Sequence, residues 1–378
     1  MLRPMRNDWE MDFVPSGALA LPRMAQTPFD IVVSDMCMPG MNGAQLLTEV
    51  MKRYPKTVRL ILSGHADKDL VLKCIGSTHQ YLAKPCEPEV LKATITRASA
   101  LDLSLSSGTL KNLVAQMDHL PSLPSLYLEI VEKLNQPDVD LEEVGRIIGQ
   151  DVGMTAQVLK LVNSAFFGLR RQLANASEAV TYLGGETMKS LVLSIHAFSQ
   201  FDRADLGEFS LDKLRSHSTE VAAAAKAIAL AEGADAKVVD EAFVSGMLHD
   251  IGKLVLLSNF GKPYREVFRL ENEKHVDASA AEQQVFGANH ADIGGYLLGL
   301  WGLPVPVVEA IAMHHSPRGS TQKSFTPLTA VHVAEALVHR PEANGAAVPP
   351  DRLDAQYLAE LGLSGRFDAW RQSCQNHS

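Results

Sequence analysis

Three short apolar runs each end on a side chain able to handle a phosphoryl group. Ile31-Val32-Val33 leads to Asp35, Leu60-Ile61-Leu62 leads to Ser63, and Tyr81-Leu82-Ala83 leads to Lys84. A buried parallel strand reads as such a run, and open α/β sheets place ligand chemistry at the carboxyl ends of their strands. A carboxylate, a hydroxyl and an ammonium at successive strand tips suit capture of a phosphoryl group on Asp35. Taken singly, Asp35 could equally cap the turn into the next helix, Ser63-Gly64 could be an ordinary turn, and Lys84 a solvated charge. A second set lies further on: His217, His249, Asp250, His290, His314 and His315. His249 and Asp250 are adjacent in an apolar helical run, so burying them demands a hydrogen bond, an ion pair or a metal. Imidazole with carboxylate suits a divalent first-row ion, which can activate water for phosphoester attack. The same residues serve equally well as satisfied core histidines.

These side chains need two kinds of scaffold. From residue 9 to about 105, apolar strand runs alternate with helical patterns, as in a parallel α/β sheet. The spacing predicts strand 9–14, helix 17–24, strand 30–35, helix 42–54, strand 59–63, helix 67–77, strand 80–83 and helix 87–101. From about 106 the strand signals vanish. Residues 110–134, 141–149, 153–166, 176–200 and 211–232 carry helical apolar spacing. The polar break at Ser104–Gly108 sets the expected domains at 1–105 and 106–340. A C-terminal tail, 341–378, with a modest helix near 353–361, is expected to be loosely attached.

Composition narrows the function classes. The 378 residues suffice for two or three domains. A formal charge of −9 argues against a broad nucleic-acid surface. Four scattered cysteines without a CxxC pair imply free thiols in a reducing cytoplasm. No apolar run approaches the ~18 residues of a membrane helix, and the N-terminus lacks a signal-peptide core.

The segments carrying Asp35, Ser63, Tyr81 and Lys84, in that order at strand ends, resemble the receiver domain of two-component response regulators. The resemblance implies a flavodoxin-like, doubly wound sheet. It makes Asp35 the phosphoacceptor, Ser63 and Tyr81 the switch residues, and Lys84 a phosphate contact, with a histidine kinase as partner. That family's fold begins with a central strand ending in an acidic pair that holds Mg2+. Nothing before Trp9 supplies it, since Leu2–Asp8 is short, polar and interrupted by Pro4. Two expectations stand. Met1 is an internal methionine of a longer natural chain, or the receiver is a remnant that cannot be phosphorylated. The first is adopted because Asp35, Ser63, Tyr81 and Lys84 all remain; Mg2+ then binds only in the full-length form.

The helical half resembles the HD superfamily of phosphohydrolases, through the early His217, the His249-Asp250 doublet and the later histidines. Glu335 matches the aspartate that closes that family's metal set, on a longer stem, and Lys253 matches a phosphate-contacting basic residue. Longer stretches are similar to the HDOD domain: Leu120-Pro-Ser-Leu-Pro-Ser125, residues 147–168, Ala179-Val-Thr-Tyr-Leu-Gly184, and Gly299-Leu-Trp301-Gly-Leu-Pro304. The resemblance implies an all-α module attached to signalling inputs, usually without demonstrated catalysis. The expected output is binding of a downstream signalling protein, with no DNA and no membrane; a homodimer is left open. Any bound metal would be Mn, Fe, Zn or Ni. The competing function is a metal-dependent HD phosphohydrolase acting on a nucleotide or cyclic di-GMP. Against the related HD-GYP family, His314-His315 is followed by no Gly-Tyr-Pro, and Lys213 stands where multi-metal members carry glutamate. Asn163, Phe166, Phe167 and Trp301 read as helix-cap and core residues. The remaining histidines, His332 among them, have no assigned role.

Overall fold

The structure is a computed structural model. It describes residues 9–54, 57–63, 78, 80–84, 86, 88–89, 91–92, 94–96, 110, 113, 117, 125–134, 136, 139–162, 173–199, 209–274, 276–301, 303–338 and 353–376. The chain divides into two compact units, with the main division after Ser125.

In the first unit, Ile31–Asp35 (β1), Val58–Ser63 (β2) and Gln80–Ala83 (β3) form a parallel sheet in the order β1-β2-β3. Asp35 is in register with Leu62, and Ser63 with Ala83. Parallel strands share one direction, so this register brings Asp35, Ser63 and Lys84 to the same edge of the sheet. Gly17–Gln26 (α1) and Gly43–Arg53 (α2) accompany it. A reciprocal cap starts α2: the Asn42 side chain accepts from Gln45 N at 2.9 Å, and the Gln45 side chain accepts from Asn42 N at 3.1 Å. Leu46 and Val50 of α2 pack with Ala20, Leu21 and Met24 of α1, while Ala44 and Leu47 join Met36 and Ile61.

Residues 9–14, expected as a strand, are not one. The alternation of Trp9-Glu-Met-Asp-Phe-Val mimics a strand, but a strand exists only through a ladder with a neighbour. Asp12 is instead ion-paired with Arg23 of α1, and Phe13 is exposed. Expected helix 67–77, the Ser104–Gly108 break, Leu120–Pro124 and Asn163–Gly168 lie outside the described residues. Of expected helix 87–101, residues 88, 89, 91, 92 and 94–96 are described, and all are helical.

The second unit is helical. Its helices are Ser125–Leu134 (α3), Leu141–Gly149 (α4), Val152–Val162 (α5), Ala176–Leu183 (α6), Gly185–Ser199 (α7), Leu211–Ala231 (α8) and Ala236–Leu248 (α9). Ile251–Lys274 (α10), Ala278–Phe286 (α11), His290–Leu300 (α12), Val305–Met313 (α13), Pro327–Val338 (α14), Ala355–Glu360 (α15) and Phe367–Asn376 (α16) follow. The single helix expected over 176–200 is broken at Gly184, whose φ of 78° suits glycine. One core gathers Val144, Ile148, Val158, Val180 and Met188 with Phe243 and Met247 of α9. A second gathers α8, α9 and α14 with Tyr357, Leu358 and Trp370. Residues 353–376, expected as part of a loosely attached tail, are therefore packed. Trp370 Nε1 and Arg366 Nε donate to Glu232, just past α8, at 2.7 and 2.6 Å. Among the described residues, no helix is long and apolar enough to cross a membrane, and Cys37, Cys86 and Cys374 are not in disulfides.

Candidate functional site

At the carboxyl edge of the sheet, Lys84 Nζ lies 2.8 Å from Asp35 Oδ1, and both side chains are open to solvent. Asp35 also lines a cavity of about 480 Å³ with Asp12, Phe29, Ser34, Cys37 and Met38. The main chains of Ser63 and Tyr81 lie in β2 and β3, as expected. Among the described residues, no group of three metal-capable side chains includes Asp35.

The helical unit carries a denser constellation. His217 projects from α8 and Glu335 from α14. His290 opens α12, His314 follows the last turn of α13, and His315 comes next. His249 and Asp250 occupy the junction between α9 and α10, not a helix interior. The apolar pattern runs straight through this junction, which is why it reads as one helix. Two glycines permit the convergence. A Cβ at Gly246 would stand 2.7 Å from Ala222 Cα, and one at Gly252 would stand 2.0 Å from His290 O. Backbone therefore meets backbone where α9 crosses α8 and where α10 meets the start of α12.

All seven expected metal-capable residues come together. His217 Nε2 and His249 Nε2 lie 3.0 and 3.3 Å from Glu335 Oε2. His290 Nε2 is 3.2 Å from Asp250 Oδ1 and 2.9 Å from His315 Nε2. The His314 and His315 rings stand 4.0 Å apart by centroid. Nδ1 of His249 donates to Gly246 O at 2.7 Å, and Nδ1 of His314 to Ile311 O at 2.8 Å. A carbonyl can only accept, so both rings turn Nε2 toward the cluster. His249 Nε2, Asp250 Oδ1 and His314 Nε2 are buried there without a well-formed hydrogen bond. Lys253 Nζ, one turn into α10, donates to Asp250 Oδ2 at 2.7 Å.

Glu282 was missed. It is wholly buried in α11 and accepts from His290 N at 2.7 Å, from His290 Nδ1 at 2.6 Å and from the Tyr264 hydroxyl. The one available sign was a carboxylate beside Ala281 on the apolar face of a helix.

Burial works against charge throughout this cluster, yet the carboxylates and cations offset one another. Burial lowers the His290 pKa, but Glu282 and a hydrogen bond with Asp250 together outweigh it and the ring is pushed up to about 9. Burial likewise opposes protonation of His249, which Asp250 and Glu335 raise. Asp250 is held well below the carboxylate range, against burial, by Lys253, His249 and His290. Glu335 is held low, also against burial, by His217 and His249. His314, desolvated and facing His249 and His290, falls to about 3 and stays neutral. The cations and carboxylates thus stabilise one another. The inward-turned Nε2 atoms of His249 and His314 and the buried Asp250 Oδ1, none with a well-formed hydrogen bond, fit a divalent ion.

Comparisons with known proteins agree with this architecture. Residues 120–317 match the HDOD domain and residues 1–96 the response regulator receiver domain. An uncharacterized protein of Treponema pallidum (strain Nichols) is 30% identical over 201 residues, 53% of this chain and 38% of that one. The response regulator protein FleR of Pseudomonas aeruginosa is 35% identical over 85 residues, 22% of this chain and 18% of FleR. The chain thus spans less than half the length of these curated relatives. Among solved structures, an HDOD domain protein of unknown function from Geobacter sulfurreducens matches with a TM-score of 0.58 and 24% identity, over 74% of this chain and 99% of that one. A Shewanella amazonensis SB2B protein whose name proposes a phosphohydrolase matches with a TM-score of 0.56 and 22% identity, over 72% and 95%. At these identities the two structures show a shared fold alone. Helices, site geometry and sequence match together place this chain in the HDOD family, its HDOD domain preceded by a response regulator receiver domain.

Proposed function

We propose that phosphorylation of Asp35 by a histidine kinase controls the HDOD domain, which signals by docking a downstream protein. The observation that carries this reading is the Asp35–Lys84 contact at a parallel sheet's carboxyl edge, in a chain that also bears an HDOD domain. An Asp35 oxygen attacks the phosphorus of the kinase's phosphohistidine. The P–N bond breaks and the departing imidazole takes a proton. The new phosphoryl group adds negative charge and acceptor oxygens beside Lys84. Ser63, at the next strand end, turns toward it, and Tyr81 follows, repacking the face of β3 and residues 87–101. That segment precedes the HDOD domain in the chain, and the change would pass to the output domain through it.

The test is labelling of the purified chain, and of a form extended upstream of Met1, with acetyl phosphate, followed by intact mass and hydrogen exchange. One phosphoryl group on the extended protein, none on its Asp35→Asn variant, and altered exchange in α8–α14 support the proposal. Equal labelling of the extended protein and that variant removes it.

The histidine cluster favours a second reading, a metal-dependent phosphohydrolase. His217, His249, Asp250 and Glu335 would hold one ion, and His290, His314 and His315 offer a further donor set. A bound divalent ion supplies a water of lowered pKa for phosphoester attack. Lys253 keeps a cation beside Asp250 for substrate phosphate oxygens. Elemental analysis for Mn, Fe, Zn and Ni comes first, and absence of all four ends this reading. With metal present, cleavage of cyclic di-GMP or a nucleotide that is lost in Asp250→Ala would replace docking as the output.

A further inference from the structure

We infer that His332 is a positioning residue for the histidine cluster, through which residues 353–376 hold the His314–His315 turn in place. The inference rests on the reading that the cluster takes up a divalent ion. His332 lies in α14 one turn before Glu335 and is buried. Its Nδ1 is 2.8 Å from His314 O, and its Nε2 is 2.9 Å from Asp354 N. A carbonyl can only accept and an amide N–H can only donate, so the ring is neutral with its proton on Nδ1. It bridges the two like a peptide unit.

The His314 side of the bridge matters because of where that carbonyl sits. His314 follows the last turn of α13, where main-chain carbonyls lack intrahelical partners. His332 supplies the missing donor. The bond fixes the peptide from which both the His314 and His315 rings hang, so a shift there would move two candidate ligands at once.

The Asp354 side is anchored independently. Asp354 Oδ1 accepts from Tyr357 N at 3.0 Å and caps α15, while Oδ2 accepts from Arg318 Nε at 2.7 Å. The Tyr357 hydroxyl lies 2.8 Å from Thr329 Oγ1 in α14. Further on, Arg366 and Trp370 hold Glu232 at the end of α8. Residues 353–376 thus grip the helix of His217, the helix of Glu335 and, through His332 and Arg318, the turn of His314 and His315. They lie beyond residues 120–317, the stretch matched by the HDOD domain. Coupling is reciprocal: whatever rigidifies the cluster must hold this segment more tightly by the same free energy.

The experiment uses the full chain and Mn2+. Affinity is read by titration calorimetry, and exchange of the 353–376 amides by mass spectrometry with and without the ion. His332→Ala is expected to weaken Mn2+ binding about 10- to 100-fold, the usual cost of losing a supporting bond around a metal ligand. His332→Asn keeps a donor at the Nδ1 position and should recover most of the affinity. His332→Gln keeps only an acceptor near Nε2 and should not. Mn2+ should slow exchange of the segment in wild type, and less so in Asp354→Ala. A folded His332→Ala that binds Mn2+ as tightly as wild type overturns the inference. If that variant fails to fold, equal affinities for the Asn and Gln proteins overturn it. Wild type that takes up none of Mn2+, Fe2+, Zn2+ and Ni2+ removes the metal reading and this inference together, whereas wild type that binds while every variant binds equally removes this inference alone.

Discussion

Replacing Glu282 by alanine should cost the metal-free protein about 3–5 kcal/mol, the range for removing one partner of a buried ion pair. Glu282 is wholly buried and accepts from the His290 ring, the His290 amide and the Tyr264 hydroxyl. Against burial, Glu282 and Asp250 together hold the His290 pKa up at about 9. The variant can shed the His290 proton, which limits the electrostatic loss, but the amide and hydroxyl remain unsatisfied at about 1–3 kcal/mol each. The pH dependence has a definite sign. His290 has a folded pKa above its unfolded value, so its stabilisation is complete below about pH 6.5 and fades as pH rises through about 9. Glu282 is lowered, despite burial, by His290 and Tyr264, so its contribution holds above about pH 4.5 and is lost in acid. The gap between wild type and variant should therefore be widest between these limits and narrow by pH 10. Thermal unfolding with chelator present measures it. A drop of about 6–20 °C is expected near pH 7, at about 2–4 °C per kcal/mol for a domain of this size. A loss below about 1 kcal/mol, or one that does not shrink at pH 10, would refute the reasoning. Glu282→Gln keeps an acceptor and should fall between the two proteins.

Gly252→Ala drives a methyl into His290 O and should cost about 1–3 kcal/mol or more, together with metal uptake, as read by melting and elemental analysis. An unchanged melting curve would contradict the close approach of α10 and α12. Trp370→Ala removes a wholly buried side chain and should cost about 3–5 kcal/mol, with faster proteolysis of the last two helices. Lys84→Ala breaks only a solvent-exposed pair, so melting should not change. Its effect should instead be weaker acetyl phosphate labelling of Asp35, seen by intact mass.

Much of this protein can be read along the chain, because some constraints are local. A strand covered on both faces has to be a short apolar run, so β1, β2 and β3 and their terminal Asp35, Ser63 and Lys84 follow from residue type and order. The metal-capable set is legible through its resemblance to the HD superfamily, Glu335 included. Alternation misleads at residues 9–14, since a strand is defined by a neighbour that no single segment contains. Continuous apolar spacing hides the α9–α10 junction, where His249 and Asp250 sit.

Glu282 and His332 lie beyond that kind of reading. Each is an ordinary residue on a helix face until folding delivers its partner: the His290 ring in one case, the His314 carbonyl and the Asp354 amide in the other. The distances within the cluster depend on how closely the helices approach, and two missing Cβ atoms, at Gly246 and Gly252, set that approach. Residue chemistry travels with the chain, whereas proximity between distant residues is a property of packing. The identities of the candidate ligands are thus written in the order of residues, and their convergence and support arise from helices closing on one another.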